Sequence, residues 1–263
     1  MRLGDRILMD APLRLHRRNC PQDYLIAVVD GHDGIDLPYT MRRHFDEIWW
    51  MAAGNGQKWN GSRRSTLARR VRDALVAARV DQFQYPLWQP KQLPRGRAYA
   101  IQGYNCFDLC RRLGAAGIWP RYVLPRTERQ WARDFLRTMI PNHYEALIAV
   151  HLRSIPAMDF KNSDARLFRQ ILNCLRDEGR FAFLLIGRDD GRQKIQGPDV
   201  FSLAGQKWHF DRTAAVIAQT SLFIGGDSGP THAAAALGVP VIGVGYPSSE
   251  CTLLRPPPAT FGL

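Results

Sequence analysis

Between Ser221 and Pro247 the chain reads SLFIGGDSGPTHAAAALGVPVIGVGYP, a run that few folds can accommodate. Leu222 to Ile224 are apolar and short enough for a buried parallel strand. Gly225 and Gly226 break that strand at the end where open α/β sheets place their ligands. A turn follows, and Asp227 or Ser228 is placed to cap a helix that has Pro230 near its first position. The helix runs through Ala233 to Leu237 and stops at Gly238, and Val239 to Val244 supply the next strand.

The chemistry lies in the turn. The N–H groups of Ser228, Gly229 and Thr231 have no intrahelical partner, and with the helix dipole they make a site for phosphate. Gly229 lets a ligand approach the backbone. His232, in the first helical turn, is within reach of a phosphate or ribose oxygen, and the four alanines after it let the helix lie close on the sheet. A well-capped helix without any ligand would also explain Asp227-Ser228-Gly229-Pro230 taken alone. The longer pattern, with His two residues after Pro and then AAAALGVPVIGV, favours the ligand. It resembles the nucleotide-sugar-binding motif of glycosyltransferase family 9, the bacterial lipopolysaccharide heptosyltransferases. That resemblance implies that Asp227, Ser228, Gly229 and His232, with the Thr231 backbone beside them, contact the diphosphate region of a nucleotide sugar.

With 263 residues, 45% of them hydrophobic and 23% charged, the chain is globular and long enough for two modest domains. Its 36 basic and 24 acidic residues leave a net charge of +12, which favours anionic partners. No nucleic-acid-binding motif is evident, and the arginines are spread over several predicted helices without stacking aromatics, so nucleic acid is not the expected partner. The five cysteines contain no CxxC pair, which suggests neither a disulfide framework nor a zinc site and fits a reducing cytoplasm. No run approaches the roughly 20 apolar residues of a membrane span. Any membrane contact is therefore expected to be peripheral, at the inner face of the cytoplasmic membrane.

Near the start, Leu3-Gly4-Asp5 followed by Ile7, Leu8, Leu13 and Leu15 reads as a glycine turn leading into a helix that ends in His16-Arg17-Arg18. Leu25 to Val29 is a strand. This resembles the opening of family 9, where a Gly-Asp pair is followed by a Pro-x-x-Arg-type segment, here Ala11-Pro12-Leu13-Arg14. The resemblance makes Asp5 the candidate catalytic base, and an Asp beside a Gly also suits a helix cap. Only Met1, Arg2 and Leu3 precede the pair, the Pro comes one residue late, and Asp10 stands where Thr is more typical. The expectation is a family member shortened at both ends.

Glu47 to Ala52 reads as a strand. Arg63 to Arg79 has a helical apolar stripe at Leu67, Val71, Ala74, Leu75 and Ala78, with arginines on the other face. That face is either solvated or turned to acceptor phosphates and anionic headgroups. Asp81 to Arg97 reads as loops, Cys106 to Leu113 as helix, and Arg126 to Met139 as a helix with Trp131, Phe135 and Leu136 on one side. A boundary at Pro141-Asn142 divides the chain into an acceptor-side domain, 1–141, and a nucleotide-sugar-binding domain, 142–263.

Ala146 to Leu152 opens the second domain as an apolar strand, followed by a loop carrying Arg153 and Lys161 and by a helix from Asp164 to Glu178. Phe181 to Ile186 is a buried strand that ends before Asp190. Val200 to Ala204 continues the alternation, and Arg212 to Gln219 is a short helix. Strands alternating with helices predict a doubly wound parallel sheet. The family resemblance implies that Lys161, with Arg153 as a second, contacts the donor phosphates, and that Asp190 binds ribose. It implies a GT-B architecture of two Rossmann-like domains facing across a cleft, and an inverting transfer from a nucleotide-diphosphate sugar to an anionic glycolipid or other glycan, with no metal and no further cofactor. Two other functions remain open at this point: a nucleotide-sugar epimerase of the same architecture, and a non-catalytic nucleotide-sugar-binding remnant.

Overall fold

Strands covered on both faces need apolar side chains at nearly every position, as residues 146–150, 181–186 and 222–224 have. In the computed structural model these runs form the centre of an all-parallel, six-stranded sheet. The structure describes residues 7–22, 26–30, 37–51, 113–154, 162–176, 179–187, 195–245 and 260–262. Their elements, in chain order, are α1 (Asp10–Asn19), β1 (Ile26–Asp30), α2 (Tyr39–Arg42), β2 (Glu47–Met51), α3 (Arg126–Met139), β3 (Ala146–His151), α4 (Ala165–Arg176), β4 (Phe181–Ile186), β5 (Val200–Ser202), α5 (Phe210–Ile217), β6 (Leu222–Gly225), α6 (Gly229–Leu237), β7 (Val241–Gly243) and β8 (Thr260–Gly262). β1 and β2 make a separate parallel pair. The large sheet has the order β5-β4-β3-β6-β7-β8. Counted from β3 this is 3-2-1-4-5-6, the Rossmann order, with its switch point between β3 and β6. The predicted helix at Arg63 to Arg79 and the segment Asp81 to Arg97 lie outside the described residues.

Alternate residues of the central strands serve opposite faces. Ile148, Val150, Phe183, Leu185 and Ile224 pack against Phe168 and Leu172 of α4. On the other face Ala182 and Leu184 meet Ala132 and Leu136 of α3, Ala214 and Ala215 of α5, and Ala233 of α6. Small residues there let helix and sheet approach closely, and Ala233 and Ala234 are fully buried. Each fully buried Phe or Leu contributes at most about 1.5–3 kcal/mol, measured against an extended chain.

α3 has the predicted bounds, with Trp131 stacked on Phe135 at 5.2 Å and Trp208 edge-on to Trp131 at 5.0 Å. β7 is shorter than the predicted Val239 to Val244. The Val239 N–H is used to close α6 by bonding the Ala234 carbonyl, so pairing begins two residues later. α6 ends at Gly238 with φ of 83°, a left-handed conformation that costs an L-residue roughly 1–2 kcal/mol. Gly238→Ala is therefore expected to lower stability by about 1 kcal/mol, read as a shift in urea midpoint at unchanged slope.

Two buried carboxylates tie the N-terminal helices to the rest. Asp10, wholly buried in the first turn of α1, accepts from the Arg121 backbone N–H at 2.8 Å and from His44 Nε2 at 2.8 Å, with Arg43 at 3.3 Å. Asp211, in the first turn of α5, accepts from the Tyr39 backbone N–H at 3.2 Å, the Tyr122 hydroxyl at 2.8 Å and Arg42 at 3.3 Å. Burial, then the charge of Asp211, pushes the Tyr122 hydroxyl pKa well up, so the phenol stays a donor. The segment 121–123 lies between these groups: Thr40 Oγ1 donates to the Arg121 carbonyl and accepts from the Val123 N–H, while the Tyr122 N–H bonds the Ala236 carbonyl at the end of α6.

Candidate functional site

The register of β3 brings His151 level with Ile186 of β4 and Gly225 of β6, so three strand ends meet at the switch point. Ligands of open α/β sheets sit there, outside the carboxyl ends. Three chain segments fill the position: the turn after β6, Arg153 just beyond β3, and Gly187 just beyond β4. A side chain at Gly225 would collide with Phe223 at 2.7 Å and press on Thr231 Oγ1 at 3.2 Å, so only glycine allows the turn to fold back this tightly.

Ser228 is the N-cap of α6. It has extended backbone, and its Oγ accepts the Thr231 N–H at 3.4 Å. Loss of such a cap costs roughly 0.5–2 kcal/mol. The expectation of an unpaired N–H at Thr231 is therefore not met, because the cap takes it. Both hydroxyls also point inward: Thr231 Oγ1 donates to the Gly226 carbonyl at 2.5 Å and lies 2.8 Å from Ser228 Oγ. Ser228, Thr231 and His232 are buried, and Asp227, Gly229 and Pro230 form the half-buried outer side of the turn. What the motif leaves on its outer side is thus the backbone around Gly229, while the Asp227 carboxylate is turned to His232 and is largely covered.

His232 Nε2 lies 3.5 Å from Asp227 Oδ1. Arg153 is held from two directions: its guanidinium donates to the Asp227 main-chain carbonyl, and its backbone exchanges bonds with Ser163, N–H to Oγ at 2.9 Å and carbonyl to N–H at 2.9 Å. It is only 8% exposed, so it is a buried charge at the turn and not a loose surface cation. The structure thus brings Arg153, Asp227, Ser228, Gly229, Thr231 and His232 together. Asp5, Lys161 and Asp190 lie outside the described residues.

Two participants were passed over in the sequence. Ser163 carries no local signal. His151 does: a polar residue closing the apolar run 146–150 falls at the ligand-binding edge of a parallel strand. Its Nδ1 lies 3.1 Å from Ser228 Oγ. Burial, then the nearby Arg153 charge, lowers its pKa to about 4, so the ring is neutral at neutral pH. Among the described residues no group of three or more His, Cys, Asp or Glu is placed to hold a metal ion, and no helix is long and apolar enough to cross a membrane.

A parallel sheet in this order, with a glycine turn and a capped helix at the switch point, defines a doubly wound α/β protein, a class that places its ligands at the carboxyl ends of its strands. Residues 113–257 match glycosyltransferase family 9 (heptosyltransferase), and the chain belongs to that family. It is a glycosyltransferase. Among solved structures, the family 9 glycosyl transferase from Veillonella parvula is 18% identical with a TM-score of 0.67, covering 100% of this chain and 84% of its own. The ADP-heptose lipopolysaccharide heptosyltransferase II of E. coli is 15% identical with a TM-score of 0.64, over 100% and 88%. E. coli heptosyltransferase WaaC with ADP is 17% identical with a TM-score of 0.55, over 100% and 90%. These likenesses show a shared fold, the GT-B type. No curated protein matches the chain by sequence.

Proposed function

We propose that the chain moves a sugar, with inversion, from a nucleotide-diphosphate donor to a hydroxyl of a lipopolysaccharide-type or other anionic glycan. The observation that carries this reading is the assembly of Arg153 and the Asp227–His232 turn at the switch point. The solved complex of E. coli WaaC with ADP supports a nucleotide at the same kind of fold. In this reading Asp5 takes the proton of the acceptor hydroxyl as its oxygen attacks the anomeric carbon, and the bond to the diphosphate breaks on the opposite face. The charge that collects on the leaving diphosphate is met by Lys161, by Arg153 and by the start of α6. Asp190 holds the ribose. Fixed cations do this work without a metal, and the nucleotide sugar is a substrate, so no cofactor is invoked. The heptose named by the family is the first sugar to try.

A division into an acceptor side, 1–141, and a donor side, 142–263, keeps the sheet that opens at Ala146 on the donor side, and α3, which precedes the boundary, packs on that sheet. The net charge of +12 and the arginines in the sequence from 63 to 79 suit an acceptor presented at an anionic membrane surface.

Calorimetric titration with ADP, GDP and UDP is expected to find at least one that binds, and Asp227→Ala and His232→Ala to weaken it. Absence of binding at millimolar concentration, equivalent to about 4 kcal/mol, would overturn the donor site.

A further inference from the structure

The hydroxyl protons of the turn can be counted. Thr231 has one, and it goes to the Gly226 carbonyl, which can only accept. The 2.8 Å contact between the two hydroxyls must then be a donation from Ser228 to Thr231. Ser228 has no second proton, so the 3.1 Å contact with His151 is filled from the other side, by an N–H on Nδ1. The result is a directed relay from His151 Nδ1–H to Ser228 Oγ–H, from there to Thr231 Oγ1–H, and on to the carbonyl of Gly226. It fixes one tautomer of a neutral ring, with the lone pair on Nε2.

The ring is held in place for this. Its other edge lies over Gly187, where a side chain would come within 3.0 Å of Cδ2 and 3.2 Å of Nε2, and where φ is 131°. The imidazole therefore spans the ends of β4, β3 and β6 beneath the turn. Anchored on the sheet, it is the long-range contact to the cap's own side chain, since Ser228 and Thr231 otherwise bond only within their own turn, and it acts beside the Arg153 bond to the preceding Asp227 carbonyl.

We infer that His151 is a positioning residue for the donor's diphosphate: by donating from Nδ1 to Ser228 it holds the turn so that the N–H groups at the start of α6 face the phosphates. This rests on the proposed donor site, and it names a residue whose effect passes through Ser228 and not through ligand contact.

The test has two arms. In the first, affinity for the best-binding nucleoside diphosphate and for the matching nucleoside is measured in the intact chain, in His151→Leu and in His151→Asn, whose amide can place an N–H where Nδ1 was. His151→Leu is expected to weaken the diphosphate about five- to tenfold, the weight of one or two hydrogen bonds in the turn, with nucleoside affinity unmoved and His151→Asn restoring most of the loss. Adding His151→Leu to Ser228→Ala should weaken binding no further than Ser228→Ala alone. Equal losses for diphosphate and nucleoside, no rescue by Asn, or additive losses would overturn the inference. In the second arm, nitrogen-15 NMR of the unmodified, ligand-free chain reads the tautomer of His151. A proton on Nδ1 supports the inference, and a proton on Nε2 overturns it. Because this arm needs no ligand, a chain that binds no nucleotide yet shows the Nδ1 proton would refute the donor site and leave the relay standing.

Discussion

Asp5→Asn is expected to lower sugar transfer by about 10²- to 10⁴-fold, the usual worth of a positioned general base, while donor affinity hardly moves. Asn keeps the shape of Asp but cannot accept a proton. It also caps a helix about as well, so a residue that only caps would tolerate the change in activity and in melting temperature alike. The two roles are therefore separated by a transfer assay on extracted lipopolysaccharide core and a thermal melt of the same preparation. Unchanged transfer in Asp5→Asn would sink the base assignment. A chain that binds the donor but transfers nothing even unmodified would instead be a binding protein.

Asp10→Ala should cost about 3–5 kcal/mol of folding stability, the range found when one partner of a buried ionic cluster is removed. Asp10 is fully buried, and its loss would leave the His44 ring, the Arg121 N–H and the Arg43 guanidinium facing a void. Asp10→Asn keeps one acceptor oxygen and should cost less, about 1–3 kcal/mol. The two also differ with pH. Burial raises the Asp10 pKa, but the bonds from His44 and the Arg121 backbone outweigh it, and the net result lies below the ordinary 3.8. A depressed carboxylate contributes stability that is present above the unfolded value and lost as pH falls from it through the folded value. Below about pH 4 the unmodified chain should thus lose part of its advantage over Asp10→Asn. Urea midpoints at pH 7 and in the acid limb measure this, and a loss under about 1 kcal/mol in Asp10→Ala at pH 7 would show that the cluster does not hold the N-terminal helices.

The same aspartate shows why part of the structure was hidden from the sequence. In the sequence Asp10 is only a departure, standing where family 9 more often has Thr. In the fold it joins His44, 34 residues away, to the Arg121 backbone, 111 residues away. Such partners have no local period, so no window of sequence reveals them.

What the sequence determined by itself was whatever depends on near neighbours. The apolar runs now seen as β3, β4 and β6, the stripe of α3, and the cap, proline and terminal glycine of α6 were all legible, because burial on both faces and the start and stop of a helix are decided within a few residues. Alternation of strand and helix also implied a parallel sheet. Tertiary structure decided the rest: the strand order that puts β3 beside β6, the bond from Arg153 to the Asp227 carbonyl across 74 residues, and the meeting of His151 with Ser228 across 77. It also turned the Ser228 and Thr231 side chains inward, since their oxygens satisfy the turn's own donors and acceptors before any ligand is considered. The physical reason is the same in each case. Register between strands far apart in the chain is set by packing of the whole sheet, and the site is assembled from the ends that this register brings level.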